Sequence, residues 1–179
     1  MRALLDACVI YPTVMREVLL GVAGQGSFTP LWSERILEEW ARAARKLGPD
    51  GEMQARGEIA VLRARWSEAE IRPRDGDLAR LWLPDPNDIH VLAAAIAGSA
   101  DLIVTLNAKD FPRGTLREEG LERIAPDELL VKIWQDNSPL VEEVVAAVHA
   151  QAEQLSGETF TKRALLKRAR LPRLGKAVT

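Results

Sequence analysis

The chain has 179 residues, a length that suits one domain with room for an appended helical piece. Hydrophobic residues make up 47% and charged residues 28%, enough to bury a core without disulfides or a structural metal. The single cysteine, Cys8, excludes an internal disulfide framework and a cysteine-based zinc cluster, and the net charge of −2 excludes a basic whole-chain footprint for polyanions.

The chain begins ALLDACVIYP within its first dozen residues, read as a short buried strand over residues 2 to 5 with Asp6 at its exit. Asp6 also interrupts the apolar start, so no secretory segment is expected. No run approaches the roughly 20 apolar residues that span a bilayer, and a cytoplasmic protein without membrane contact is expected. Val14, Val18, Leu19 and Val22 recur at helical spacing, predicting a helix over residues 12 to 22 with Pro12 in its first turn. AGQGSFTP reads as a loop. SERILEEWARAARKLG predicts a helix capped by Ser33, striped by Ile36, Leu37, Trp40 and Ala44, and stopped by Gly48. A second helix is expected from about Glu52 to Glu68, and a short strand near Ile71.

Asp85 then opens a helix that closes near Gly98, and DLIVTL follows as a strand of the continuous apolar kind buried on both faces. LERIAP reads as an edge-like strand. DELLVKIWQD and SPLVEEVVAAVHAQAEQL are amphipathic helices, TKRALLKRA is a short basic helix, and LPRLGKAVT reads as a frayed tail. Strands alternating with helices imply an α/β fold with a parallel sheet, in which ligands bind beyond the carboxyl ends of the strands.

That rule gives several polar residues a meaning. Asp6 leaves the first strand, Asn107 and Asp110 leave the LIVTL strand, and Asp88 lies in the first turn of the helix feeding it. Structural readings stand beside the functional ones. Asp85 can be an N-cap and Asp88 the acid of a capping box. Asn107 and Asp110 can shape a turn before Phe111 and Pro112. Glu38 is four residues from Arg42 and suits a surface pair, whereas Glu39 borders the buried stripe. Together, several carboxylates at one sheet edge repel: two unit charges about 4 Å apart at an effective dielectric near 20 cost about 4 kcal/mol. Such a cluster must protonate or hold cations, and oxygen ligands favour Mg²⁺ or Mn²⁺ over zinc. Hard cations on carboxylates suit phosphodiester hydrolysis. Other machinery is scarce. His90 and His149 read as structural, Cys8 as a small buried residue without a partner base, and no nucleophile elbow or phosphate-binding glycine loop is present.

LLDACVIYP, ILEEW, DIHVLAAAI and IVTLNAKDF, in that order over roughly residues 1 to 125, resemble the PIN-domain nucleases, including the VapC-type toxins of bacterial toxin–antitoxin pairs. The resemblance implies a PIN-like α/β/α sandwich around a central parallel twisted sheet, with a nuclease domain over 1–126 and a helical C-terminal extension with a basic tail over 127–179. It implies catalytic and metal-holding roles for Asp6, Glu39, Asp88 and Asp110, a further metal ligand in Asn107, and an assisting hydroxyl in Thr105. It further implies Mg²⁺ or Mn²⁺, a single-stranded RNA substrate, a cognate antitoxin and a homodimer. The chain departs from the pattern twice: Cys8 stands where many relatives have Asn, and Asn107 where many have Asp. After Glu158 there is no acid, and Lys162, Arg163, Lys167 and Arg168 of the basic end could contact RNA phosphates or an acidic partner segment, or simply be solvated. The leading expectation is a metal-dependent endoribonuclease acting as a toxin. A catalytically weak or inactive PIN-fold module that binds RNA or protein is the alternative, and a nuclease on structured DNA is a third reading, disfavoured by the absence of a helical arch.

Overall fold

The computed structural model describes residues Met1–Thr179. In chain order the elements are β1 (Arg2–Leu5), α1 (Ala7–Ile10), α2 (Thr13–Gly24), β2 (Thr29–Leu31), α3 (Glu34–Ala43), α4 (Gly51–Arg65), α5 (Asp75–Arg80), α6 (Ile89–Ala97), β3 (Leu102–Val104), α7 (Arg113–Glu118), β4 (Glu122–Ile124), α8 (Pro126–Asp136), α9 (Ser138–Ser156), α10 (Lys162–Arg168) and α11 (Pro172–Ala177). Short 3₁₀ turns occupy Ala44–Leu47, Pro86–Asp88 and Ala108–Asp110. The strands form one sheet in the order β2-β1-β3-β4.

β1 is central because its side chains can be buried on both faces. Ala3, Leu4 and Leu5 are fully buried, and each leucine so placed contributes about 1.5–3 kcal/mol. It pairs in parallel with β2 (Arg2↔Thr29, Ala3↔Pro30, Leu4↔Leu31) and with β3 (Ala3↔Leu102, Leu4↔Ile103, Leu5↔Val104). α6 packs on β1 and β3 through a face of Ala93, Ala94 and Ala95, all fully buried, whose small side chains let the helix lie close. Gly98, the C-cap of this helix, sits in a crowded corner: a Cβ there would meet Leu31 Cδ1 at 2.9 Å and Ile71 Cγ1 at 3.1 Å. Arg2 ties the start of β1 to the same corner, its backbone N–H donating to Asp101 Oδ2 (2.7 Å) and its Nε to the Gly98 carbonyl (2.8 Å).

Several expected elements differ from those found. AGQGSFTP is not all loop, since Thr29–Leu31 form β2. A three-residue strand carries no readable period, and Pro30 is tolerated because β2 is an edge strand. The helix expected over 12–22 is α2, Thr13–Gly24, with Pro12 as its N-cap, and a further short helix, α1, precedes it where none was expected. The strand near Ile71 is only a single bridge between Trp32 and Glu70.

The chain divides into two compact units, Met1–Tyr11 with Thr29–Arg123, and Pro12–Phe28 with Ile124–Thr179. The first contains β1 to β3. In the second, α2 packs against α9 at Gly21, where a Cβ would collide with Val144 Cγ1. The frayed tail expected at LPRLGKAVT is instead α11, docked on α8 and α10. Leu171 and Leu174 are fully buried. Asp127, 8% exposed, accepts the backbone N–H groups of Arg173 and Leu174, both at 2.9 Å. This carboxylate satisfies two donors that every helix start leaves free. Asp127→Ala should therefore lower stability by about 1–3 kcal/mol. It should also speed amide exchange at Arg173 and Leu174 selectively; unchanged exchange there would refute the anchoring role.

Candidate active site

The centre is built where β1 and β3 end side by side. The Asp6 backbone N–H donates to the Val104 carbonyl at 3.1 Å, which fixes Asp6 just beyond the carboxyl ends of both strands. Its side chain caps α1, with Oδ1 accepting from the Ala7 N–H at 2.7 Å. Oδ2 accepts from the Thr105 hydroxyl at 2.8 Å and from the Cys8 thiol at 3.3 Å. Asp6 is 5% exposed. Burial pushes its pKa above the ordinary value, against the three hydrogen bonds, and the Glu39 charge raises it further.

Cys8 is not the isolated buried thiol expected from the sequence. Its Sγ lies 3.6 Å from Thr105 Oγ1 and accepts the Leu106 N–H at 3.4 Å. Burial, then the Asp6 charge, pushes the thiol up to about 12, so it stays protonated and donates. It thus occupies a hydrogen-bonding place rather than leaving one empty. Thr105 is buried, and besides its bond to Asp6 its Oγ1 accepts the Asn107 N–H at 3.0 Å.

Asp85 is the N-cap of the turn that enters α6, accepting the Asn87 N–H at 2.9 Å. Asp88, at the junction of that turn with α6, makes no side-chain capping bond, so the capping-box reading does not hold. Its carboxyl is pushed up to about 6, first by burial and then by the charges of Asp6, Asp85 and Asp110; His90 acts in the opposite direction. Asp110 closes the turn after β3, its N–H donating to the Asn107 carbonyl at 3.0 Å, and Asn107 is exposed.

α3 separates its two neighbouring glutamates. Glu38 faces a surface network, accepting from Arg42 Nε at 3.2 Å and from both Arg56 terminal nitrogens at 2.9 Å. Glu39 turns to the other side, with Oε1 2.8 Å from His90 Nε2 and 3.5 Å from Arg35 Nε. His90 is 3% exposed, and neither ring nitrogen has a hydrogen bond of good geometry. The 2.8 Å approach is thus a close polar contact off the hydrogen-bonding line. Sequence reasoning read His90 as structural; its one signal was a basic ring on an otherwise aliphatic helix, two residues after Asp88.

The donor set is carboxylate and amide oxygen, which suits a hard divalent cation and not zinc. The Asp88 carboxyl is raised first by burial and then by the like charges of Asp6, Asp85 and Asp110. As the side chains stand, no three of His, Cys, Asp or Glu are grouped closely enough to hold a metal ion. The basic residues Lys162, Arg163, Lys167 and Arg168 belong to the second unit.

A sequence model of the PIN domain matches residues 2–109, more than half of the chain, and the chain belongs to that family. Its four-stranded parallel sheet with flanking helices is the α/β/α architecture expected of it. The chain is also similar to the candidate ribonuclease VapC50 of Mycobacterium tuberculosis (strain ATCC 25618 / H37Rv), at 41% identity over 61 residues. That match covers 34% of this chain and 34% of the relative, so the chain spans about a third of the length of the curated relative. No solved structure matches the chain significantly. No helix is long and apolar enough to cross a membrane.

Two measurements probe the centre. Thr105→Val removes a bond to the charged form of Asp6, so the Asp6 pKa, read by carboxyl NMR titration, should rise further; an unchanged value would mean that the hydroxyl does not matter. Asp6 and Asp88 both have folded pKa values above their unfolded ones. Each therefore binds more protons folded than unfolded, and the metal-free protein should lose stability as pH rises from the ordinary aspartate value of about 4 through about 6. Glu38 and Glu52, held near 2 by arginines, act with the opposite sign between their ordinary value of 4.5 and about 2, so their contribution is nearly constant above pH 5. In EDTA the Tm should fall between pH 5 and 7, less steeply in Asp88→Asn. A Tm that rises across this range would contradict the charge cluster.

Proposed function

We propose that this protein is a metal-dependent endoribonuclease that cuts single-stranded RNA, the toxin half of a toxin–antitoxin pair acting in the cytoplasm. The observation that carries the reading is Asp6 fixed just beyond the carboxyl ends of β1 and β3, with the Asp88 carboxyl raised to about 6 by burial and then by the charges of Asp6, Asp85 and Asp110. Membership of the PIN domain family and the local similarity to VapC50 support it. An antitoxin partner and a homodimer belong to the same proposal.

Asp6, Glu39, Asp88 and Asp110 would hold Mg²⁺ or Mn²⁺, with the Asn107 carbonyl as an uncharged further ligand. The chemistry such a cation supplies when bound is Lewis acidity, toward water and toward phosphate oxygens. The rest falls to the chain. Asp6 is oriented in advance by Thr105, Cys8 and the Ala7 N–H, so it loses little freedom on engaging an ion. Asp88 has no fixed partner and can swing. Thr105 positions Asp6 through Oγ1 and need not touch substrate.

The second reading is a PIN-fold module that binds RNA or protein without cutting. The uncharged Asn107, and the absence of three donors gathered at one point, favour it.

Cleavage of a mixed single-stranded RNA pool in EDTA, Mg²⁺ or Mn²⁺ tests the proposal, beside Asp6→Asn. Cleavage should require the metal and fall to background in Asp6→Asn, with its far-UV circular dichroism unchanged because a neutral amide of the same shape sits readily in a buried site. Undiminished metal-dependent cleavage in the variant would falsify the assignment of Asp6. No cleavage with any metal, in a well-folded sample, would favour the binding module.

A further inference from the structure

The second unit carries a concentration of charge that the carboxylate centre does not use. α10 buries Leu165 and Leu166 and leaves Arg163 and Lys167 exposed one turn apart. α11 adds Lys176, and these three cations with Pro172 line a hollow of about 270 Å³. The helices meet closely at Gly175, where a Cβ would stand 3.3 Å from Leu166 Cβ and 3.4 Å from the Arg163 carbonyl. Asp127 pins the start of α11 from beneath, so the hollow is a fixed shape and not a mobile tail.

None of the three cations has a carboxylate within ion-pairing distance, in contrast to Arg45, Arg56, Arg63 and Arg80 elsewhere. The other basic residues of the segment behave differently. Arg168 lies over the Phe160 ring, 5.2 Å from its centroid, and lines a separate hollow, while Lys162 lines neither. The four cations singled out in the sequence are therefore not one surface. Arg163 and Lys167 belong together, and Lys176 joins them.

We propose that Arg163, Lys167 and Lys176 form a preorganised anion site on α10 and α11 that holds the sugar–phosphate backbone of single-stranded RNA; this rests on RNA being the substrate. Three like charges around one hollow repel, and an anion relieves that repulsion. The arginine fork matches phosphate oxygens in pairs, and the lysines act as point charges. No aromatic ring lines the hollow to stack a base, so the grip is on the backbone and indifferent to sequence. No branched aliphatic or aromatic side chain lines it either, which leaves a protein segment without the buried anchor that such interfaces use.

The test is binding of a 5′-labelled single-stranded RNA to the full chain in EDTA, by fluorescence anisotropy across about 50–200 mM salt. Arg163→Gln/Lys167→Gln/Lys176→Gln should weaken binding about tenfold or more at the low-salt end. It should also reduce the slope of log K against log salt by about 2, at ~0.7 per single-strand phosphate contact. A charge-matched triple variant, Lys46→Gln/Arg65→Gln/Arg117→Gln, should lose clearly less. Gly175→Val, which removes no charge but forces α10 and α11 apart, should also weaken binding. Equal losses in the two triple variants would overturn the site in favour of net charge alone. Polyglutamate binding that needs the three cations, with RNA binding that does not, would overturn it in favour of a protein partner. Binding in EDTA is independent of cleavage, so failure here leaves the nuclease reading intact, and failure of cleavage leaves this result readable.

Discussion

The hydrogen bond from the Asp6 N–H to the Val104 carbonyl holds the rest of the centre in place. It is the last rung of the β1–β3 ladder, and it makes a residue near the N-terminus and one about a hundred positions later share one corner. The Thr105 hydroxyl reaches Asp6 only because that rung is in register. A slip of one residue would turn every side chain of β1 to the other face, bringing Leu5 or Ala7 where the carboxylate stands. Leu4 and Leu5 on β1, and Ile103 and Val104 on β3, are all fully buried and oppose such a slip. The aliphatic packing of the sheet is thus what sets the position of the acid.

The molecule handles charge in two opposite ways. On the surface of α3 and α4, Glu38 and Glu52 are met by Arg42, Arg45 and Arg56, and both carboxyls are held near 2. At the end of β1 and β3, acids are gathered with His90 and, beside Glu39, Arg35 as basic company, and burial above all pushes the carboxyls of Asp6 and Asp88 upward. Adjacent residues of one helix, Glu38 and Glu39, fall on the two sides of this divide. Burial and the neighbouring acids both disfavour the ionised form of Asp88, whereas the arginines around Glu38 and Glu52 favour theirs.

Much of this was legible in the sequence, for identifiable reasons. β1, β3 and α6 announce themselves because full burial leaves uninterrupted apolar runs, and Ser33 and Asp85 because capping needs a short polar side chain before a helix. β2 was hidden, since three residues with a central proline show no period. α11 was hidden because what holds it is Asp127, a partner 46 residues away, and no local pattern encodes that bond. At the site, the approach of Asp6 and Thr105 follows from the parallel-sheet rule. The hydrogen bonding of Cys8 and the contact between His90 and Glu39 do not, because both arise from packing between distant elements. The basic residues near the C-terminus were visible as a charge run, but their division into separate groups depends on helix faces and on Lys176 arriving from a helix that looked like a tail.

Pro12–Phe28 belongs with Ile124–Thr179, although the sheet-bearing unit lies between them in sequence. During synthesis α2 emerges early, with Met15, Val18, Leu19 and Val22 destined for burial, yet α9, which receives Gly21 against Val144, follows more than a hundred residues later. At ribosomal rates of about 5–20 residues per second, that apolar helix waits several seconds for its partner. A nascent chain interrupted after β4 lacks α8 and α9, the helices that α2 packs against. Synthesis of α9 is therefore a structural event for this protein: until it emerges, the apolar face of α2 lacks the helix that covers it.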